Sequence, residues 1–332
     1  MRTRSKIGIG CLGIILALAG VVAWYVFNRE PRPIVVAEPG ALGERIVMGD
    51  VPANFYPGAG GGPRPGILLL GGSEGGLKES RNVLARQLAE QGYSVLYPGY
   101  YATSETNRSF HKVPLETFDR SLDWLSTREN IDSARLGVIG HSKGGEAALL
   151  VASRHPELRA VIAAMPSDVV WQGFDFDAFD MSQFGSSWTA NSEELPYVAY
   201  VDLPWSDWMS EGAGALTKMY EESWKARALH PGSSIPVEEI AAPTLLICGG
   251  QDTIWPSCTM ARAAEDRAQN ATLLAYPDAG HWGFGPASEL DENDASSLGR
   301  MGGTAETDRA AREDQWPQIL EFLDAQLDGG EN

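Results

Sequence analysis

From residue 67 onward, short and largely apolar runs alternate with segments of helical length. Six such runs occur, at residues 67–70, 94–97, 136–139, 160–164, 244–247 and 272–276. A strand that is apolar throughout must be covered on both faces, and strands separated by helices pair in parallel. The pattern therefore predicts an α/β fold with a mostly parallel, doubly wound sheet, in one domain over residues 66–329.

The alternation stops at about residues 167–240, between the fourth and fifth of these runs. This insertion is rich in aromatic side chains, and its tryptophans are Trp171, Trp188, Trp205, Trp208 and Trp224. Long insertions are usually functional or disordered, and the aromatic content argues against disorder. We predict a cap that shapes a substrate pocket, with a simple cover for the sheet edge as the alternative.

The first thirty residues predict a membrane anchor. Arg2, Arg4 and Lys6 precede an apolar run of 21 residues, 7–27, in which no side chain is charged. At a rise of about 1.5 Å per residue, a helix of this length spans the hydrocarbon core of a bilayer. Basic residues ahead of the run place the N-terminus in the cytoplasm. We therefore expect one transmembrane helix, with the catalytic domain on the extracytoplasmic side.

A cleaved signal peptide is the alternative interpretation of the same segment. Residues 17–19 read Ala-Leu-Ala and resemble a small-residue cleavage site, which would make the protein secreted. Under both interpretations the chain beyond residue 30 is exported. The Pro- and Gly-rich residues 31–65 then predict a tether followed by the first strands.

The net charge of −18 disfavours one class of partner. An acidic domain repels phosphodiester backbones, so we expect no binding to nucleic acid. The His, Cys, Asp and Glu residues show no spacing that is typical of a metal site, and we expect no metal or organic cofactor. Neither charge nor composition indicates an oligomeric state.

Two cysteines, Cys248 and Cys258, lie outside the apolar N-terminal run. We expect them to be unpaired small side chains. A single bridge between them is the alternative, because an exported protein meets oxidising conditions.

A nucleophile motif follows the run at 136–139 directly. It reads Gly140-His141-Ser142-Lys143-Gly144 and opens into a segment with helical character. An abrupt turn from strand to helix requires glycine on both sides of the serine, because side chains there would meet the neighbouring backbone. The pattern predicts that Ser142 is a nucleophile, held at the carboxyl edge of the sheet by Gly140 and Gly144.

A second copy of the pattern, Gly71-Gly72-Ser73-Glu74-Gly75, follows the run at 67–70. The glycine-rich stretch continues through Gly76, so Ser73 is not held on a tight turn. An early loop of this kind is where α/β-hydrolases place the amides of the oxyanion hole. We predict oxyanion donors in the backbone of Gly72, Ser73 and Glu74, and a second donor in the N–H of Lys143.

A serine nucleophile needs a base that is itself oriented by an acid. His281 lies in a glycine-flanked turn just after the run at 272–276, and Asp252 follows the run at 244–247. Asp278, three residues before His281, is a local alternative for the acid. The chain order Ser142, Asp252, His281 is that of α/β-hydrolases, and it predicts a catalytic triad.

Further short motifs accompany these residues: Pro114-Leu115-Glu116, Val169-Val170-Trp171-Gln172-Gly173, Trp255-Pro256-Ser257, Gly302-Gly303-Thr304 and Trp316-Pro317. Together with the two glycine motifs, they make residues 66–327 resemble the C-terminal catalytic domain shared by acyl-CoA thioester hydrolases and bile acid-CoA:amino acid N-acyltransferases, in its bacterial branch. The resemblance implies the α/β-hydrolase fold. It also implies that Ser142 takes an acyl group from a thioester, and a serine at this position favours hydrolysis over transfer to an amino acid.

The expected activity is therefore that of a serine hydrolase acting on a small-molecule acyl thioester through an acyl-enzyme. The alternative activity is that of an exported carboxylesterase or another acyl ester hydrolase, because coenzyme A thioesters are cytosolic and an exported domain would not meet them. An acyltransferase, a peptidase and a membrane-tethered binding protein that does not use the triad are the remaining alternatives.

Overall fold

The structure is a computed structural model that describes residues 30–104, 107–178, 181–211, 214–287 and 297–327. The predicted anchor at residues 7–27 lies outside these ranges. Within them, every helix is too short or too polar to cross a bilayer. The described residues from Ile34 onward belong to one compact unit.

Eleven strands occur in the described residues: β1 Glu44–Met48, β2 Val51–Tyr56, β3 Arg64–Leu70, β4 Ser94–Pro98, β5 Val113–Pro114, β6 Ile131–His141, β7 Ala160–Ala164, β8 Trp188–Ala190, β9 Glu193–Glu194, β10 Thr244–Gly249 and β11 Ala271–Tyr276. Eight of them form the main sheet in the order β1-β2-β4-β3-β6-β7-β10-β11. The pairings β1–β2 and β2–β4 are antiparallel, and all the others in this sheet are parallel. The prediction of a mostly parallel sheet is confirmed.

The α-helices of the described residues are α1 Glu79–Glu90, α2 Glu116–Ser126, α3 Lys143–Arg154, α4 Trp205–Glu211, α5 Gly214–Lys225, α6 Ser257–Glu265 and α7 Ala305–Leu327. The sheet has a hydrophobic cluster on each face. In β3, Leu68 and Leu70 belong to one cluster, while Ile67 and Leu69 belong to the other. This double burial explains why the central strands are apolar throughout rather than alternating.

The aromatic insertion between β7 and β10 folds onto the domain. Its strand β8 pairs with β5 in parallel and with β9 antiparallel, forming a small three-stranded sheet. Trp171 and Trp188 are completely buried. Trp171 packs edge-on against Tyr220, which in turn packs against Trp255 ahead of α6. The insertion is thus joined to the carboxyl edge of the sheet through its aromatic side chains.

A disulfide joins Cys248 and Cys258, so the expectation of two unpaired cysteines is wrong. Cys248 lies at the end of β10, and Cys258 lies in the first turn of α6. A hydrogen bond of 3.3 Å from the Ser257 hydroxyl to the Gly249 carbonyl holds the two ends together. The resulting Cα–Cα separation of 5.0 Å is within the range that a disulfide spans. Sequence spacing alone did not show that α6 packs back on β10.

The disulfide closes the loop that carries Asp252, and we expect it to stabilise the fold. Replacing both cysteines, Cys248→Ser with Cys258→Ser, should lower the free energy of unfolding by about 3 kcal/mol, because the unfolded chain loses a constraint across this short loop. Chemical denaturation of the oxidised parent and the double variant measures the difference. Alkylation of both cysteines in the folded, unreduced protein would contradict the bridge.

Candidate active site

Ser142 lies on a sharp turn between β6, which ends at His141, and α3, which begins at Lys143. Its backbone has φ 59° and ψ −123°, a conformation that non-glycine residues rarely adopt outside functional sites. A Cβ on Gly140 would lie 1.9 Å from the Gly144 carbonyl oxygen, and a Cβ on Gly144 would lie 2.4 Å from the carbonyl oxygens of Leu70 and Gly71. Glycine is therefore required at both positions.

His281 and Asp252 are joined by a hydrogen bond of 2.7 Å between Nδ1 and Oδ2. The other carboxylate oxygen of Asp252 accepts the N–H of Ile254 at 2.9 Å, which fixes its orientation. Asp278, the alternative acid, is exposed. The structure therefore places Asp252 against the imidazole. With Nδ1 bound to the carboxylate, Nε2 is the nitrogen that can serve Ser142.

His141, the last residue of β6, connects the loop of the predicted base to the turn of the predicted nucleophile. The Nε2 of His141 lies 2.8 Å from the His281 carbonyl oxygen, and the two rings are 4.9 Å apart. Ser142 is the next residue in the chain. Ser142 and His281 are both almost completely buried, with 5% and 4% exposure. The loop of His281, which is bonded to Asp252, thus contacts the residue that directly precedes Ser142.

The predicted oxyanion loop lies directly against the serine. A Cβ on Gly72 would come within 3.1 Å of the Ser142 Cβ, so the loop backbone passes beside the nucleophile. The Tyr101 hydroxyl donates a hydrogen bond to the Ser73 carbonyl, which helps to fix the position of the loop. The N–H of Lys143 lies at the start of α3, where helical N–H groups have no partner within the helix. The predicted donors thus belong to a loop that lies beside Ser142 and to the residue that follows it.

The carboxylate of Glu74 faces its own loop and Arg81. Burial by itself would raise the pKa of the Glu74 carboxyl, but the Arg81 guanidinium and the N–H groups of Glu74 and Gly72 lower it overall. The Arg81 Nε donates to Glu74 Oε1 at 2.9 Å. Two of the three predicted amides in this loop, those of Gly72 and Glu74, are therefore directed at this carboxylate, which leaves the N–H groups of Ser73 and Lys143 as the candidate oxyanion donors.

A buried polar stripe on α7 supports the histidine loop. Asp308, Arg312 and Gln315, spaced to lie on one helical face, are all at most 2% exposed. Asp308 accepts a hydrogen bond of 2.7 Å from the N–H of Gly280. Arg312 donates one of 2.8 Å to the Trp282 carbonyl, and Gln315 donates one to the Gly283 carbonyl. This stripe was not predicted from the sequence. Its sequence signal is the spacing of polar residues at i, i+4 and i+7 on the helical face that also contains the buried Ile319.

A buried ion pair lies beneath the nucleophile turn. The Lys143 Nζ is 2.6 Å from Glu146 Oε2 and 3.0 Å from the Ser187 hydroxyl. The other Glu146 oxygen accepts the N–H of Trp171 and the indole N–H of Trp188. Burial lowers the pKa of the Lys143 ammonium and raises that of the Glu146 carboxyl. The pair fastens the aromatic insertion to the helix that carries the serine.

The insertion is linked to His281 indirectly, through Trp255, which lies after β10 and outside the insertion. Trp255 lies edge-on to the His281 ring at 6.2 Å, and Tyr220 of α5 also packs edge-on against Trp255 at 5.6 Å. This favours the prediction that the insertion shapes the surroundings of the site. In the part of the chain that the structure describes, no group of three acidic, histidine or cysteine side chains is arranged to hold a metal ion.

The sheet order, the turn at Ser142 and the His281–Asp252 pair define an α/β-hydrolase fold. One solved structure that shares this fold is the Pyrococcus furiosus esterase Pf2001, with a TM-score of 0.54 and 16% identity; the match covers 90% of this chain and all of that chain. Another is 2,6-dihydroxy-pseudo-oxynicotine hydrolase, with a TM-score of 0.52 and 18% identity; the match covers 89% of this chain and 70% of that chain.

Residues 113–329 match the family described as "BAAT / Acyl-CoA thioester hydrolase C terminal", and the chain belongs to this family. Similar proteins include mouse (Mus musculus) acyl-coenzyme A amino acid N-acyltransferase 2, 30% identical over 298 residues, and human (Homo sapiens) mitochondrial acyl-coenzyme A thioesterase 2, 27% identical over 302 residues. The matches cover 86% and 88% of this chain, and 66% and 59% of those relatives. The resemblance to this family, inferred from the motifs, is confirmed; its bacterial branch stays a prediction.

The buried Lys143–Glu146 pair gives a stability prediction. Lys143→Met leaves the carboxyl group of Glu146 buried without its cation, and we expect the free energy of unfolding to fall by about 3 kcal/mol. Adding Glu146→Gln should recover much of the loss, because no buried charge then remains. Chemical denaturation measures both effects.

An exposed pair with the same i, i+3 spacing provides the control. Lys225 lies 2.8 Å from Glu222 on the surface of α5. Lys225→Met should change stability little, because solvent screens such pairs. Equal stability losses for Lys143→Met and Lys225→Met would contradict the role assigned to burial.

Proposed function

We propose that this protein is a serine hydrolase that cleaves acyl thioesters by way of an acyl-enzyme on Ser142. The observation that carries the proposal is the 2.7 Å bond between His281 and Asp252, in a loop whose backbone contacts the residue before Ser142, which itself lies on a strained, glycine-flanked turn. Family membership supports it, because relatives named as acyl-CoA thioesterases match 88% of the chain.

In the first step, His281 Nε2 takes the proton of the Ser142 hydroxyl as its oxygen attacks the acyl carbonyl carbon. Asp252 keeps the imidazole in the tautomer with Nδ1 protonated and stabilises the imidazolium that forms. The carbon–sulfur bond then breaks, and the thiol leaves with the proton from His281. The acyl group remains on Ser142 as an ester.

In the second step, His281 takes a proton from water, and the hydroxyl oxygen attacks the Ser142 ester. The bond to Ser142 breaks, the proton returns to the serine oxygen, and a free carboxylic acid is released. In both steps we expect the negative charge on the carbonyl oxygen to be stabilised by the backbone N–H groups of Ser73 and Lys143, because those of Gly72 and Glu74 donate to the Glu74 carboxylate.

An oxygen ester is the second candidate substrate, and the disulfide favours it. Disulfides persist in oxidising compartments, and the Cys248–Cys258 bridge fits an exported domain. We propose, with the apolar run at 7–27 as support, that the protein is a single-pass membrane protein with an extracytoplasmic catalytic domain, or is secreted after cleavage. The second candidate is then an exported carboxylesterase.

The cellular position of the catalytic domain can be measured directly. Protease added to intact cells, or to spheroplasts if an outer envelope shields the protein, should digest the domain if it is extracytoplasmic. Full protection in both preparations would contradict export and would favour an acyl-CoA thioester as the natural substrate.

Ser142→Ala should lower the turnover of an activated acyl ester or thioester by about 10⁴-fold or more, because no other group can form the acyl-enzyme. The matched variant is Ser73→Ala in the second glycine motif, whose predicted contribution comes from its backbone. We expect it to retain at least about a tenth of the activity. Steady-state assays with acyl-CoA and p-nitrophenyl esters measure both, and undiminished turnover in Ser142→Ala would rule out this nucleophile.

A further inference from the structure

A chain of side-chain contacts links the oxyanion loop to the histidine loop without passing through the triad. Glu74 Oε1 accepts from Arg81 Nε at 2.9 Å, and Arg81 Nη2 lies 2.8 Å from His141 Nδ1. His141 Nε2 then lies 2.8 Å from the carbonyl oxygen of His281. The mechanism above uses none of these contacts, although they connect the two parts that must flank Ser142.

The chemistry of the three groups fixes where the His141 proton is. A guanidinium can only donate, so His141 Nδ1 must be the acceptor from Arg81. A carbonyl oxygen can only accept, so His141 Nε2 must carry a proton and donate the hydrogen bond to the His281 carbonyl. His141 is therefore neutral and protonated on Nε2, the opposite tautomer to that assigned to His281.

The surroundings of His141 keep it in this state. Burial lowers the pKa of His141 well below its usual value, and the nearby Arg81 charge acts in the same direction. Arg81 and His141 are only 5% and 3% exposed, so water does not readily replace these hydrogen bonds. The Phe284 ring stacks on His141 at 5.6 Å with an interplanar angle of 7°.

We propose that His141 is a positioning residue that holds the His281 backbone and the oxyanion loop at a fixed separation across Ser142. The inference rests on the proposed function, because it assigns a role relative to that triad. An error of about 1 Å in the placement of a base or an oxyanion donor is enough to cost about 10²-fold in rate. A rigid link between these two elements would therefore raise kcat rather than improve substrate binding.

Variants of the full chain separate the hydrogen bond to His281 from simple packing. His141→Asn keeps an acceptor at the reach of Nδ1 but cannot donate to the His281 carbonyl. His141→Gln keeps an amide donor at the reach of Nε2. We expect kcat to fall about 10- to 100-fold in His141→Asn and less than about fivefold in His141→Gln, with KM nearly constant in both.

Phe284→Leu is the packing control, because it removes the stacked ring and leaves the polar contacts in place. We expect its kcat to stay within about threefold of the parent. A loss in Phe284→Leu equal to that in His141→Asn would overturn the proposal, because packing alone would then explain the effect. Equal kcat in His141→Asn and the parent would also overturn it.

Two further measurements separate failure of this inference from failure of the proposed function. A fluorophosphonate should label Ser142 in the parent, and more slowly in His141→Asn; absence of label in the parent would count against the triad itself. In the Ser142→Ala variant, NMR of ¹⁵N-labelled histidine should show His141 protonated on Nε2, with the His141→Asn spectrum identifying the signal. Protonation on Nδ1 would overturn the inference whatever the activity.

Discussion

The close approach of two backbone segments at the end of β6 is the constraint on which the site depends. Gly140 and Gly144 meet with no room for a side chain, and this forces Ser142 into a backbone conformation with positive φ. Such a conformation persists only where the surrounding structure determines it strongly. Here β6 is held between β3 and β7, and α3 packs on the same strand. The central sheet therefore maintains the strain that presents the serine.

Buried polar groups then position everything that must face the serine. The ion pair of Lys143 and Glu146 fastens the insertion to α3, and the polar stripe that includes Asp308 fastens the histidine loop to α7. His141 connects that loop to Arg81 and so to the oxyanion loop. Each of these groups is costly to bury unless it is paired, so a misplaced loop would leave several of them unsatisfied. The polar interior thereby favours one arrangement of the site.

The sheet could be predicted from local sequence because its strands carry their own signal. The apolar runs at 67–70 and 136–139 lie within β3 and β6, and the glycine spacing around Ser142 marks the turn. The groups that support the site were not predictable in the same way. His141 is 60 residues from Arg81 and 140 residues from His281 in the chain. The local sequence around these residues contains no pattern that predicts either contact. The Cys248–Cys258 disulfide was only the alternative interpretation of the sequence for the same reason, since it depends on how α6 packs.

The proposed mechanism requires that the acyl group of the substrate be bonded to Ser142 during turnover. The most direct test is rapid quenching of the full chain during the pre-steady-state burst with a p-nitrophenyl ester, followed by peptide mass spectrometry. We expect a mass increase equal to the acyl group on the peptide that contains Ser142, and we expect this increase to disappear as turnover ends. An acyl group found on a different residue during productive turnover would contradict this mechanism.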